Sequence, residues 1–149
     1  MSLHHDPDVL LAKLSTIRRC VATVREVRRN ERELEAWIVE DLTVLNLSRA
    51  IEACIDLANH LLAANSWELP RDARDAFAIL ARRGVVTPEL ERPLVGMAGF
   101  RNVAVHQYRG LDPAIVAVAA DAGLADLERF ATAVTRAVSP TDADDHAHP

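Results

Sequence analysis

Between residues 8 and 28 the apolar side chains Leu10, Leu14, Ile17, Val21 and Val24 return at alternating steps of three and four. That spacing lays a single apolar stripe along a helix, so the first predicted element runs from Asp8 to about Arg28. Asn30, followed three residues later by Glu33, has the form of a capping box with Asn in place of the usual Ser or Thr. It predicts a second helix from about Glu31 to Ala64. There Leu34, Ile38, Leu42, Leu45, Ile51, Cys54, Ile55, Ala58, Leu61 and Leu62 sustain the period without Pro or Gly. A helix of that length spans about 50 Å and has to be sheltered along much of it.

The remaining pattern is shorter and better punctuated. Residues 65–70 read as a connection, and Arg71 to Arg83 as a short helix ended by Gly84. Thr87-Pro88-Glu89 has the form of an N-cap with proline at the first helical position. The helix it opens carries Leu90, Leu94, Val95, Met97, Ala98 and Phe100, with Gly96 and Gly99 permitting a kink or the close approach of another backbone. Gly110-Leu111-Asp112-Pro113 closes that segment, and a last helix is predicted from Pro113 to about Val138. Five helices with short connections predict an all-α, antiparallel up-and-down bundle, its core supplied mostly by the first, second, fourth and fifth. Residues 1–138 read as one domain, and the polar, acidic residues 139–149 as a disordered tail.

Composition agrees with this frame. Half of the 149 residues are hydrophobic and only 4% are aromatic, a balance that favours helices over pleated sheet. No apolar run approaches a membrane span and the first residues lack a signal-peptide pattern, so a cytoplasmic protein is expected. Cys20 and Cys54 lie in amphipathic helices without C-x-x-C spacing and are expected to be buried thiols. Trp37 and Trp67 are expected to anchor a core or an interface. A formal charge of −5 argues against a surface that binds nucleic acid throughout, while leaving room for a local basic cleft.

The chemistry concentrates in Arg101-Asn102-Val103-Ala104-Val105-His106-Gln107-Tyr108. An arginine holds phosphate through its planar fork of donors and a histidine moves protons near neutral pH. The pair therefore suits phosphodiester chemistry without a metal. At about 100° per residue, Arg101 and Tyr108 share one helical face and Asn102 and His106 another, with Arg101 and His106 separated by about 140°. A long arginine side chain, a distortion near Gly99 or a second subunit across a two-fold axis could each unite them. On spacing alone, the ordinary reading is that the same residues cap carbonyls, satisfy a carboxylate or sit at a solvated edge.

Phe100-Arg101-Asn102 followed by His106-Gln107-Tyr108, late in an all-helical domain, resembles the R-x-x-x-x-H-x-Y signature of the HEPN superfamily, in its HepT-type toxin branch. Residues 46–60 of the long helix are similar to the family's apolar helix segment interrupted by acidic and histidine positions, and the likeness covers roughly residues 8–138. The resemblance implies a dimeric, metal-independent endoribonuclease without a cofactor, the toxin of a toxin–antitoxin pair. Its active site would form across the homodimer from Arg101 and His106. His106 would act as general base or acid, Arg101 would bind the scissile phosphate and Asn102 would orient one or the other. Tyr108 is implied to be the acceptor for adenylylation by a cognate MntA-type nucleotidyltransferase, with toxin and antitoxin forming a hetero-oligomer.

Other polar positions carry weaker expectations. Glu52, Asp56 and His60 recur every four residues and share a face that could line the cleft, hold a metal or form a solvated stripe, the last being the ordinary reading. Arg25, Arg28, Arg29 and Arg32 form the densest basic patch, suited to steering RNA or an acidic partner or to satisfying a helix C-terminus. The rival to the ribonuclease is a non-catalytic helical module that binds a nucleotide or presents substrate to a partner nucleotidyltransferase.

Overall fold

The computed structural model describes residues 3–106 and 110–139. Among them are six helices: α1 (Pro7–Arg29), α2 (Ala36–Ala64), α3 (Ala73–Arg82), α4 (Pro88–His106), α5 (Pro113–Ala119) and α6 (Ala122–Val138). The five predicted helical segments are all present, and the last is divided in two. Leu14, Ile17, Val21 and Val24 of the first stripe are all buried. They pack into one core with Leu47, Ile51, Leu57 and Leu61 of α2 and with Leu127, Phe130 and Val134 of α6. Phe77 of α3 meets Phe130 edge-on, ring centroids 5.8 Å apart, at the centre of that core. No described helix is long and apolar enough to cross a membrane.

Two boundaries differ from the sequence pattern. Asn30 is the C-cap of α1, not the N-cap of α2. Its Nδ2 donates back to the Glu26 carbonyl at 2.9 Å and its backbone N–H also turns back on α1, so the residue satisfies carbonyls left at a helix end. The start of α2 shifts to Ala36, where Glu35 caps without a side-chain hydrogen bond. The 29-residue helix is therefore about 44 Å long. The second difference is a turn at Ala120 and Asp121 that separates α5 from α6. Turning the chain there lets Val116 and Leu124 both face the core. Gly123 then sits under α4, where a Cβ would lie 3.5 Å from the Met97 methyl.

The shelter predicted for the long helix is incomplete. Residues 36–42 include no buried side chain, Trp37 is 61% exposed and Leu45 is 44% exposed. Thr43, Val44, Asn46 and Leu47 point inward instead. Trp37 is thus no core anchor. Trp67 is partly buried against the core, with the Arg83 guanidinium 5.3 Å from its ring centroid.

The other punctuation behaves as its chemistry requires. Gly84 follows α3 with φ +78°, a conformation that glycine adopts without strain. Thr87 Oγ1 accepts from the Leu90 N–H at 3.2 Å to open α4. Both cysteines are buried free thiols, and burial pushes them toward the protonated form. Residues 140–149, and with them most of the predicted tail, lie outside the described residues.

Removing the central aromatic contact should open a cavity that the surrounding helices cannot close. Phe77→Ala is expected to cost about 3–5 kcal/mol of unfolding free energy and Phe77→Leu clearly less, measured by urea denaturation. Equal losses would mean that apolar bulk without the ring restores nothing and that the edge contact itself carries the stability.

Candidate active site on the fourth helix

α4 is fastened by Leu90, Leu94, Met97, Ala98, Phe100 and Ala104, all buried. That choice of inward face fixes where the polar residues go. Arg101 lies beside α2 with its side chain 24% exposed, and its Nη1 donates to Glu52 Oε2 at 2.6 Å. Its Nε is buried and has no hydrogen-bond partner. One edge of the guanidinium fork is thus engaged by a carboxylate, and the exposed part of the fork keeps donors that could meet an oxyanion.

Asn102 and His106 face solvent, and His106 is the last described residue of α4. Neither has a hydrogen-bond partner among the described residues, so the expected orienting bond from Asn102 to His106 is not made within this chain. Gln107 and Tyr108 lie outside the described residues. The predicted split therefore stands for the residues that are described: Arg101 is turned to α2, and Asn102 and His106 are turned outward. Gly99 is approached by the Arg74 side chain of α3 rather than by backbone, with Nη2 3.7 Å from where a Cβ would stand. Gly96 has nothing within 4 Å of that position.

The Glu52, Asp56 and His60 stripe is divided among three partners. Glu52 holds Arg101, Asp56 Oδ2 accepts from Lys13 Nζ of α1 at 2.8 Å, and His60 Nε2 accepts from the Asp6 N–H at 2.9 Å. Glu52 belongs to the site, and the other two fasten the first helix and the chain that leads into it. Among the described residues no three His, Cys, Asp or Glu side chains gather as a metal site. The basic patch is largely neutralised: Arg25 pairs with Glu128 of α6, Arg29 with Glu26, and Arg28 stands 4.0 Å from Glu31.

Two residues of this region were not legible as partners in the sequence. Glu52 appears there only as one member of an acidic stripe, and its pairing with Arg101 joins positions 49 apart. Arg74 carries no motif, and only the packing of α3 on α4 brings it to Gly99.

Comparison with known proteins shows what the chain is similar to. An mRNA nuclease HepT of Shewanella oneidensis is 36% identical over 124 residues, 83% of this chain and 93% of the relative. A tRNA nuclease HepT of Aphanizomenon flos-aquae is 32% identical over 62 residues, 42% of either chain. The solved tri-AMPylated HEPN toxin of Shewanella oneidensis, in complex with its MNT antitoxin, superposes with a TM-score of 0.80 at 33% identity, covering 88% of this chain and 99% of that one. A family model described as Ribonuclease HepT-like matches residues 15–134, from the early turns of α1 through most of α6, and the chain belongs to that family.

Proposed function

We propose that the protein is the ribonuclease toxin of a toxin–antitoxin pair, cleaving RNA at a site completed by a second copy of itself and silenced by adenylylation of Tyr108. The observation that carries this reading is the Arg101 guanidinium. It is anchored by Glu52 and partly exposed, within a segment whose His106 stands open to solvent. The names of the relatives supply the polymer: one acts on mRNA and another on tRNA.

Arg101 and His106 do not meet within one chain, and the surface around them is unfinished. Val103 and Val105 are 44% and 66% exposed beside the motif, and Leu45 is exposed on the α2 face that bears Glu52, two turns earlier. Apolar side chains gathered at a polar site mark a contact surface. A two-fold axis there brings the Arg101 of one copy to the His106 of the other and repeats every contact.

In that cleft the ribose 2′-oxygen attacks the adjacent phosphorus while an imidazole of His106 takes its proton. Arg101 binds the non-bridging oxygens and stabilises the charge that builds on them. The bond to the 5′-oxygen breaks, that oxygen receives a proton from imidazolium, and a 2′,3′-cyclic phosphate remains. DNA is spared for want of the 2′-hydroxyl.

Silencing follows from the same electrostatics. The phenol oxygen of Tyr108 attacks the α-phosphorus of ATP bound to a nucleotidyltransferase partner, pyrophosphate leaves, and the phenolic proton passes to solvent or a base on the partner. The added phosphodiester puts negative charge and bulk two residues beyond His106, where RNA phosphate has to enter.

Purified protein is expected to cut RNA in EDTA, with Arg101→Ala and His106→Ala each abolishing cleavage and growth arrest. Intact RNA under conditions of arrest would refute the ribonuclease. The two inert variants, mixed and allowed to exchange subunits, should recover part of the wild-type activity if the site is paired in trans, and persistent inactivity would refute that pairing. Glu52→Ala should lower kcat about tenfold with little change in KM, because Arg101 loses its anchor, while Glu52→Gln retains an accepting oxygen and most of the rate. Co-expression with the nucleotidyltransferase should add AMP masses to the wild-type chain and none to Tyr108→Phe.

A further inference from the structure

We infer that Arg74 is a second contact to the RNA backbone, holding a phosphate outside the one being cut and extending the site along the His106 face of α4. The inference rests on the ribonuclease reading above.

Arg74 sits in the first turn of α3, where aligned peptide dipoles make a cation unfavourable. Nothing in the described chain compensates it. The nearby Asp72 accepts from the Asp75 N–H at 2.8 Å as the helix cap. Asp75 in turn accepts from the Arg71 N–H at 2.9 Å and stands 3.5 Å from the Arg71 side chain. That backbone bond, with the Arg71 charge, holds the Asp75 carboxyl below its ordinary range, so the acid is already committed elsewhere. Arg74 is exposed and has no ion pair or hydrogen bond among the described residues. A side chain that costs its own helix something and gains no partner within the fold is suited to an anion from outside.

Its position says which anion. The Arg74 Nη2 lies over Gly99, 3.7 Å from where a Cβ would stand. Gly99, Asn102 and His106 follow at steps of three and four and share one face of α4. Gly99 is about 4.5 Å along the axis from Asn102 and about 10 Å from His106. A strand whose 2′-hydroxyl is delivered to His106 runs over this face, and its neighbouring phosphate comes within reach of a long arginine side chain. Such a contact fixes the register of the strand without reading its bases.

The test uses the 149-residue protein and two substrates with the same scissile step, a dinucleotide with a single phosphate and an oligonucleotide several residues longer. Arg74→Ala is expected to raise KM for the longer RNA about tenfold with kcat unchanged, to lower the salt dependence of its binding by about one ion, and to leave the dinucleotide unaffected. Arg74→Lys should restore much of the binding. The thermal midpoint should not fall, since the cation opposes its own helix dipole. Equal losses on both substrates, or no loss on the longer one, would overturn the inference. So would weaker binding of the nucleotidyltransferase with RNA cleavage intact, which would make this a protein-docking contact. If the unmutated protein left both RNAs intact, the ribonuclease reading itself would fail, and if Arg101→Ala cleaved normally, the placement of the site at Arg101 would fail. An inert Arg101→Ala beside a wild-type Arg74→Ala would remove only the second contact.

Discussion

The burial of α2 is the constraint on which the rest of the fold depends, because every other helix of the described chain packs against it. Its inward side, from Val44 through Leu47, Ile51, Cys54, Leu57 and Leu61, is nearly free of solvent. The pairing with α1 is the most extensive in the molecule. Apolar burial of this kind is non-directional and does not by itself select one arrangement. Direction comes from polar ties along the same helix: Asp56 to Lys13, His60 to the segment before α1, and Glu52 to Arg101. The element that supplies the core thus also sets the position of the candidate site's cation.

A division of labour follows for α4. Its buried side chains fasten the helix, and the half-buried Arg101 is referenced to α2. Asn102 and His106 have no such reference among the described residues. In electrostatic terms the Arg101 cation is pre-organised by its carboxylate anchor, whereas the exposed His106 is not. A proposed second copy would therefore do more than bring the missing group near. It would supply the surroundings that hold the imidazole in place, a task that the exposed valines at 103 and 105 suit by size and polarity.

Periodicity reported the helices well because burial imposes it directly. Leu14, Ile17, Val21 and Val24 are found where their spacing puts them, and the cap at Thr87 and the glycine at Gly84 act through local geometry that a short window of sequence contains. The misread positions are those where two local chemistries compete. Asn30 can cap either end of a helix, and bonding back to Glu26 won because the chain turns there before α2 begins. Leu45 fits the helical period yet lies outside the core, since the period fixes a face but not whether this chain covers it. The turn at Ala120 and Asp121 answers to packing on α4, with only Asp121 and Gly123 hinting at it in sequence. For the candidate site, Arg101 and His106 were visible as chemistry and their separation as geometry. The partners Glu52 and Arg74 were invisible because contact between distant segments leaves no mark in spacing.

The tie between Glu52 and Arg101 also bears on how this stretch of α4 responds to heat. Parts of a fold open at very different free energies, from near zero at loosely held edges to the full unfolding free energy in the core. Arg101, half-buried and tied to the central helix, belongs to the part that opens only when the core does. Warming short of the unfolding transition therefore leaves its guanidinium in place, and this ion pair outlasts exposed ones such as that between Arg29 and Glu26.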